Sequence, residues 1–250
     1  MHVVLGAGNL GCNLVDQLMH KNIPVKLFSI TVNDWKYPQS LEPILSLNPK
    51  HIWVCLGSTS TNLVQTWDVN VRLALELLQK SHPKTTLHFF STTMHIDTKL
   101  FHVKRHLEEI VFETGRPNTN IYRVSHIYGN YKPQKSLPYL IHKNKITSRK
   151  RLICPTPADW LAETLLGSFN DFSVVKEKPI AQYLVTPRLS VQFDDFVRLV
   201  NDDTAEIEMK ESATGKTEYK LSCNNKSWLD LWQEQKHLWG KFNNVENKSK

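Results

Sequence analysis

Short, almost unbroken apolar runs alternate with longer stretches of helical periodicity over the first 130 residues of this 250-residue chain. The apolar runs predict buried strands, because a strand covered on both faces has no polar side to present to solvent. The stretches between them repeat apolar residues every three or four positions, which is typical of helices that cover a sheet. The predicted strands are residues 2–5, 24–30, 51–56, 86–90 and 120–124, and the predicted helices are residues 12–20, 40–47, 63–80 and 100–113.

A glycine-rich turn, Gly6-Ala7-Gly8-Asn9-Leu10-Gly11, follows the first strand directly and leads into the first helix. Gly6 permits a tight turn, Gly8 lets backbone N–H groups approach a pyrophosphate, and Gly11 lets the helix pack closely on the strand. The helix N-terminus adds backbone donors and partial positive charge. The motif therefore predicts a dinucleotide site formed by Gly6, Gly8, Asn9, Leu10 and Gly11, and a glycine turn that holds no ligand is the alternative.

The glycine turn and the alternation together predict an α/β protein with a Rossmann-type, doubly wound parallel sheet and a small C-terminal α+β lobe. We place the dinucleotide-binding core at residues 1–130 and a smaller substrate-lobe-like and helical region at residues 131–250, packed as one unit with the core. In the second region we expect a helix from about Ala158, a strand at residues 183–186 and a helix at residues 191–200. Three tryptophans at near-helical spacing predict a further docking helix: Trp228, Trp232 and Trp239.

Ligands of parallel sheets bind beyond the carboxyl ends of the strands. Gly57 follows the third predicted strand, and Thr93 follows the fourth. We therefore expect Gly57 to contribute to the cofactor site and Thr93 to lie at the same edge of the sheet.

Composition narrows the class of protein. Apolar residues make up 40% of the chain and charged residues 22%, no apolar run reaches membrane-spanning length, and the chain begins with a strand rather than a signal peptide. The four cysteines lie far apart, without zinc or C-x-x-C spacing, so we expect a cytoplasmic protein with reduced thiols and no metal. The net charge of +7 is scattered and no nucleic-acid motif accompanies it, so it favours a phosphorylated or nucleotide-linked ligand over nucleic acid.

Four later segments occur in the order found in one large family. They are TWDVNVRLALELL at residues 66–78, HFFSTT at 88–93, YRVSHIYG at 122–129 and ADWLA at 158–162. With the glycine turn they resemble the extended and atypical short-chain dehydrogenases/reductases, the superfamily of NAD-dependent epimerases, dehydratases and reductases that act on nucleotide sugars. The resemblance implies that Asp68 and Asn70 begin a family-specific helix and that Thr93 is the catalytic hydroxyl residue, with Thr92 as the alternative.

The family's Tyr-x-x-x-Lys motif is incomplete in this chain. Lys104 stands at the lysine position, followed by Glu108, and the resemblance implies that Lys104 holds the nicotinamide ribose. Leu100 occupies the position of the tyrosine and has no proton to give. His95 and His102 are nearby titratable alternatives, of which His95, two residues after Thr93, suits the pocket better; a solvated surface position is the other interpretation of both.

The sequence contains few residues that identify the cofactor. NAD sites usually carry an acid at the end of the second strand, and here that strand ends Phe28-Ser29-Ile30-Thr31 without one. We therefore expect NADP or NAD, with NADP favoured, while another nucleotide or no ligand stays open.

Two hypotheses remain. In the first, the chain is an NAD(P)-dependent reductase or epimerase of a small or nucleotide-linked carbonyl compound, with water or substrate as a further proton source. In the second, it is a catalytically inactive Rossmann-fold subunit or sensor that works through a protein partner. A homodimer is an open alternative to a monomer.

Overall fold

The chain folds into alternating strands and helices. The computed structural model describes residues 1–29, 40–57, 62–93, 99–129, 131, 137–142, 152–167, 180–185, 190–201, 209–210 and 219–220. The strands are β1 (His2–Leu5), β2 (Val25–Phe28), β3 (His51–Val54), β4 (Thr86–Thr92), β5 (Thr119–Val124), β6 (Ile127–Tyr128), β7 (Leu152–Ile153), β8 (Thr156–Pro157), β9 (Ile180–Val185), β10 (Ser190–Gln192), β11 (Met209–Lys210) and β12 (Tyr219–Lys220). The helices are α1 (Asn9–His20), α2 (Glu42–Leu45), α3 (Leu63–Trp67), α4 (Leu73–Lys80), α5 (Lys99–Thr114), α6 (Leu137–His142), α7 (Ala158–Gly167) and α8 (Phe193–Asn201), and a π-helical turn, Asp68–Arg72, joins α3 to α4.

Seven parallel strands form the central sheet, in the order β2-β1-β3-β4-β5-β9-β12. The chain runs outward from β1 to β2 and then crosses back to place β3 on the other side of β1. The carboxyl ends of β1 and β3 therefore border a topological switch point, the crevice in which doubly wound sheets bind dinucleotides. The predicted fold class is confirmed.

Each face of the sheet carries its own apolar core, as a doubly wound fold requires. Helices α2, α4 and α5 cover one face, and α5 contributes Val111 and Leu107 at a spacing of four residues. Helices α1 and α7 cover the other face, where Leu10, Leu14 and Leu18 of α1 form a stripe with the same spacing. These stripes explain why the sequence periodicity predicted helices at these positions.

The part of the chain after residue 130 contributes both to this sheet and to a smaller unit. β9 and β12 extend the sheet, and α7 packs against α1. β7, β10 and β11 form an antiparallel sheet, and α6 packs on α8. The helix predicted from residue 191 begins at Phe193 instead, because Val191 and Gln192 pair with β7. The division at residue 130 stays a prediction, and the tryptophan helix of residues 228–239 lies outside the described residues.

The closest backbone approach around the glycine turn joins α1 to β1. A Cβ atom on Gly11 would lie 1.9 Å from the carbonyl oxygen of Gly6, a separation no side chain can occupy. A Cβ atom on Gly8, by contrast, would meet no atom of the described residues within 4 Å. Gly11 is therefore required for packing, whereas the space at Gly8 is open.

We expect Gly11→Ala to lower the free energy of unfolding by about 3 kcal/mol, because the added methyl group must push α1 away from β1. Gly8→Ala is the matched control and should change it by less than about 1 kcal/mol. Urea unfolding followed by tryptophan fluorescence measures both. Equal losses in the two variants would contradict the packing described here.

Candidate functional site

The glycine turn lies against the end of β3. The Gly6 amide donates to the Phe28 carbonyl at 2.8 Å, and Gly6 has a φ of 107°, a conformation that glycine adopts without strain. A Cβ atom there would lie 2.9 Å from the backbone nitrogen of Leu56 and 3.1 Å from the carbonyl oxygen of Cys55. The turn and the segment that leads to Gly57 therefore form the two walls of the switch-point crevice.

The N-terminus of α1 lies at this crevice. Gly8 is the N-cap residue, and among the described residues no side chain caps the helix end. The first turn, which contains Asn9, Leu10 and Gly11, carries no acidic residue. Backbone N–H groups and an uncompensated helix dipole are the features that bind phosphate groups at helix N-termini.

A third segment closes on the same helix end. A Cβ atom on Gly129 would lie 3.1 Å from the Cβ atoms of both Asn9 and Ala158. The end of β6 and the start of α7 therefore meet the first residue of α1. No role for Gly129 was predicted from the sequence, although this glycine ends the YRVSHIYG segment that carries part of the resemblance.

Gly57 and Asn70 meet beyond the end of β3. Gly57 is exposed, and a Cβ atom on it would lie 3.7 Å from Oδ1 of Asn70. Asn70 is 4% exposed and its Nδ2 atom donates to the Thr66 carbonyl at 2.8 Å. The π-helical turn, Asp68–Arg72, carries Asn70 to this position. Asn70 was noted in the sequence only as part of a family pattern.

Thr93 lies one residue beyond β4, at the carboxyl edge of the sheet. Its amide donates to the carbonyl of Val124 at 3.0 Å, so it continues the pairing of β4 with β5. The residue is half-buried. Its place at this edge agrees with the expected position of the hydroxyl residue; the catalytic role stays a prediction.

Lys104 reaches from α5 to the point where β3 and β4 separate. β3 pairs with β4 as far as Val54 and Phe89, and the Lys104 amine donates to the carbonyl of the next residue, Phe90, at 2.8 Å. Burial lowers the pKa of this amine to about 8, although Cys55 and Glu108 favour its charged form. Lys104 is therefore a buried amine beside the crevice and not a solvated surface lysine.

An ion-pair network holds α5 against the ends of β4 and β5. Glu108 accepts hydrogen bonds from Nε of Arg123 at 3.0 Å and from Arg105 at 2.9 Å, and Arg105 also reaches the Thr92 carbonyl at 3.4 Å. Burial favours protonated Glu108, but the hydrogen bonds from Arg123 and the charges of Arg123 and Arg105 hold the pKa of its carboxyl below the usual value. The network fixes the helix from which Lys104 extends.

Leu100, at the position where the resemblance places a tyrosine, is half-buried in the first turn of α5. Its side chain has no titratable proton. His102 is exposed on the same helix, and His95 lies outside the described residues. Among the described residues, no group of three histidine, cysteine or acidic side chains could hold a metal ion, and no helix is long and apolar enough to cross a membrane.

No protein-family model matches the chain, and no curated protein matches it in sequence. The strand order, the glycine turn and the switch-point crevice define a Rossmann-type, doubly wound fold. Solved structures of this fold, among them reductases, epimerases and dehydratases, match nearly the whole chain. Because the identities are low, the likeness establishes the fold alone.

Three of these structures illustrate the match. A dTDP-4-dehydrorhamnose reductase from Clostridium acetobutylicum has a TM-score of 0.73 and 14% identity, over 96% of this chain and 100% of that chain. A reductase of the same name from Bacillus anthracis, in complex with NADP, has a TM-score of 0.65 and 16% identity, over 89% and 90%. A dTDP-glucose 4,6-dehydratase from Bacillus anthracis, in complex with NAD, has a TM-score of 0.67 and 12% identity, over 96% and 97%.

The buried amine of Lys104 makes a pH-dependent contribution to stability. Its pKa is about 8 in the folded protein and 10.5 without burial, so the unfolded chain binds more protons between these values. The Lys104 contribution to the free energy of unfolding therefore rises with pH across this window. We expect the free energy of unfolding of wild type, minus that of Lys104→Met, to rise by about 1 kcal/mol per pH unit from pH 8 to 10.

Urea unfolding at pH 7.5 and 9.5 measures this difference. Lys84→Met, at an exposed lysine, is the control and should show no such trend. A Lys104→Met difference that is the same at both pH values would contradict a buried amine.

Proposed function

We propose that this protein binds a nicotinamide dinucleotide at the switch-point crevice and uses it to reduce or epimerise a small or nucleotide-linked carbonyl compound. The observation that carries the proposal is the open space at Gly8 beneath an uncapped helix N-terminus. A glycine turn that served packing alone would need Gly6 and Gly11, but it would not need a glycine at a position where a side chain meets nothing. The cofactors bound by the similar structures, NADP and NAD, support the same site.

The pyrophosphate would be held by the backbone N–H groups of the first turn of α1, at Asn9, Leu10 and Gly11. Gly57 would line the opposite wall of the crevice, with Asn70 beneath it. NADP is favoured over NAD because the described end of β2, through Ser29, presents no carboxylate to bind a 2′-hydroxyl or to repel a 2′-phosphate.

The reaction joins a hydride and a proton to a carbonyl group, and the bound nicotinamide supplies the hydride. The Thr93 hydroxyl at the carboxyl edge would donate a hydrogen bond to the substrate carbonyl oxygen and polarise it. Lys104 would bind the ribose on the β4 side of the crevice. Since Leu100 carries no proton, His95 or water would protonate the alkoxide oxygen.

The alternative function is a non-catalytic nucleotide-binding subunit or sensor. Two observations favour it: Leu100 replaces the proton donor, and the Lys104 amine is already bonded to the Phe90 carbonyl. Such a protein would bind the cofactor at Gly6–Gly11 without turning it over. A fold can keep its binding site after its chemistry is lost.

The first test is titration of the purified protein with NADPH and with NADH, followed by nicotinamide fluorescence and calorimetry. We expect micromolar binding, tighter for NADPH. Gly8→Val should weaken it at least a hundredfold, because the side chain fills the approach to the helix N-terminus, and should keep the fold. Gly167→Val is the matched control, since a Cβ atom there also meets no atom of the described residues within 4 Å but lies at the far end of α7. Absence of binding to folded wild type would sink the proposal.

Turnover separates the two functions. NADPH oxidation in the presence of dTDP- and UDP-linked keto sugars should be measurable for an enzyme and lost in Lys104→Met, with His102→Gln unchanged. Tight NADPH binding without oxidation across the panel would favour the sensor.

We also propose a homodimer that uses the outer surface of α3 and α5. Leu63 and Val64 of α3 are 50% and 70% exposed, Trp67 is 39% exposed, and Phe112 of α5 is 47% exposed. Apolar side chains grouped on one surface mark interaction sites. Sedimentation velocity should give a dimer for wild type and a monomer for Val64→Lys; a monomeric wild type at millimolar concentration would overturn the assignment.

A further inference from the structure

Three histidines stack at the amino edge of the sheet, opposite the candidate cofactor site. His2 begins β1, His51 begins β3, and His88 lies on β4. His2 stands beside His51 in the strand register, and Trp53 stands beside His88. The Trp53 and His88 rings are parallel within 8°, with centroids 3.7 Å apart, and the His2 and His51 rings are 4.4 Å apart. We call His2, His51, His88 and Trp53 the histidine stack.

Hydrogen bonds connect the stack across four strands. Nε1 of Trp53 donates to Nδ1 of His2 at 3.2 Å. Nδ1 of His51 lies 3.2 Å from Nε2 of His88, and Nδ1 of His88 lies 2.9 Å from the hydroxyl of Tyr122 on β5. β1, β3, β4 and β5 are therefore joined by side chains at this edge as well as by their backbones.

The donors in this network define where each ring carries its proton. An indole N–H can only donate, so Nδ1 of His2 must accept and its proton is on Nε2. Nδ2 of Asn120, also a donor, lies 3.4 Å from Nδ1 of His88, so we assign Nδ1 of His88 as an acceptor and its proton to Nε2. That proton is donated to Nδ1 of His51. All three rings are thus neutral Nε2–H tautomers with Nδ1 as acceptor.

A second proton on any of these rings would face a donor. On His2 it would oppose the Trp53 indole N–H, and on His51 it would oppose the His88 ring N–H. His88 is fully buried, so its charge would gain no hydration. The helices that cover this face, α1 and α7, bring apolar side chains, Leu18 and Leu165, into the same core as Trp53.

The charges around the stack oppose protonation too. The N-terminal amine and the Lys50 side chain, which precedes β3, both act on His2 and His51. Burial and these neighbours lower the pKa of His2 to about 3 and of His51 to about 4, and burial with the other two rings lowers the pKa of His88 well below its usual value. Tyr122 and Asn120, both on β5, are polar groups bonded to His88.

We propose that the histidine stack is an acid-sensitive latch: neutral, it holds the amino ends of β1, β3, β4 and β5 together, and in mild acid its protonation opens this edge of the sheet. The latch is independent of any cofactor. The direction of its pH dependence follows from the linkage between proton binding and folding. Free histidine takes up a proton near pH 6.5, while the folded rings resist it, so stability is complete above pH 6.5 and falls as the pH drops towards 4.

The first test is NMR of the histidine rings in the full chain, with nitrogen and carbon shifts recorded from pH 7.5 to 4.5. We expect the three rings of the stack to remain neutral Nε2–H tautomers above pH 5. An Nδ1–H tautomer at His2 or His88, or titration of the stack near pH 6.5 in the folded state, would overturn the proposal.

The second test compares unfolding between pH 7 and 4.5 in wild type and in His2→Gln/His51→Gln, with His102→Gln/His106→Gln as the exposed control pair. As the pH falls below 6.5, the wild-type unfolding constant should rise about tenfold per pH unit for each stack histidine. This rise comes in addition to the contribution of the carboxylates, which all variants share. The pH dependence of the unfolding constant should be smaller in the stack variant by the contribution of two histidines. In the control pair it should match that of wild type. Equal pH dependence in all three proteins would refute the latch. If the stack variant does not fold, the ring titration of wild type decides alone.

Discussion

The contact between Gly11 and Gly6 is the constraint on which the rest of this structure depends. The helix α1 can follow β1 without a wider loop only because neither position carries a side chain. That contact seats the Leu10, Leu14 and Leu18 stripe over the sheet and lets α7 pack against α1. It also brings Asn9 to Gly129, so that the later part of the chain meets the helix N-terminus. The same close packing leaves the space at Gly8 open.

The two edges of the sheet manage buried polar groups in opposite ways. At the carboxyl edge the groups are charged: the Lys104 amine is bonded to a strand carbonyl, and Glu108 is held by Arg105 and Arg123. Buried charges are costly unless they are paired and hydrogen-bonded, and such groups with shifted pKa values gather at functional sites. At the amino edge the polar groups are neutral rings that share protons. The charged groups at the carboxyl edge favour an anionic ligand, whereas the neutral rings at the amino edge favour stable packing of the strands.

Much of the fold could be predicted from the sequence because its signals are local. The apolar run at residues 51–56 and the four-residue spacing of the helices depend on burial alone, and β3 and α5 lie where these patterns indicated. The glycine turn was informative for the same reason. The strand at Ser190–Gln192 was missed because it is created by pairing with β7, a contact distant in sequence.

The candidate site was harder to predict, since its residues meet only in three dimensions. Asn70 reaches Gly57 through a π-helical turn that no periodicity reveals, and Gly129 gains its meaning from Asn9, 120 residues earlier. The histidine stack had no signal at all, because a single histidine near the start of a strand is unremarkable and only the register aligns three of them. Lys104 was found by motif, but its burial was not foreseen. Thr93 and His95 keep their predicted roles as hypotheses.

Hydrogen exchange of the backbone amides with and without saturating NADPH tests the central claim most directly. We expect slowed exchange at residues 9–11 and 57, at the carboxyl edge, with residues 2 and 51 at the amino edge unchanged. Binding that protects other residues and leaves the first turn of α1 exchanging as before would contradict it, because the cofactor would then lie somewhere other than the glycine turn.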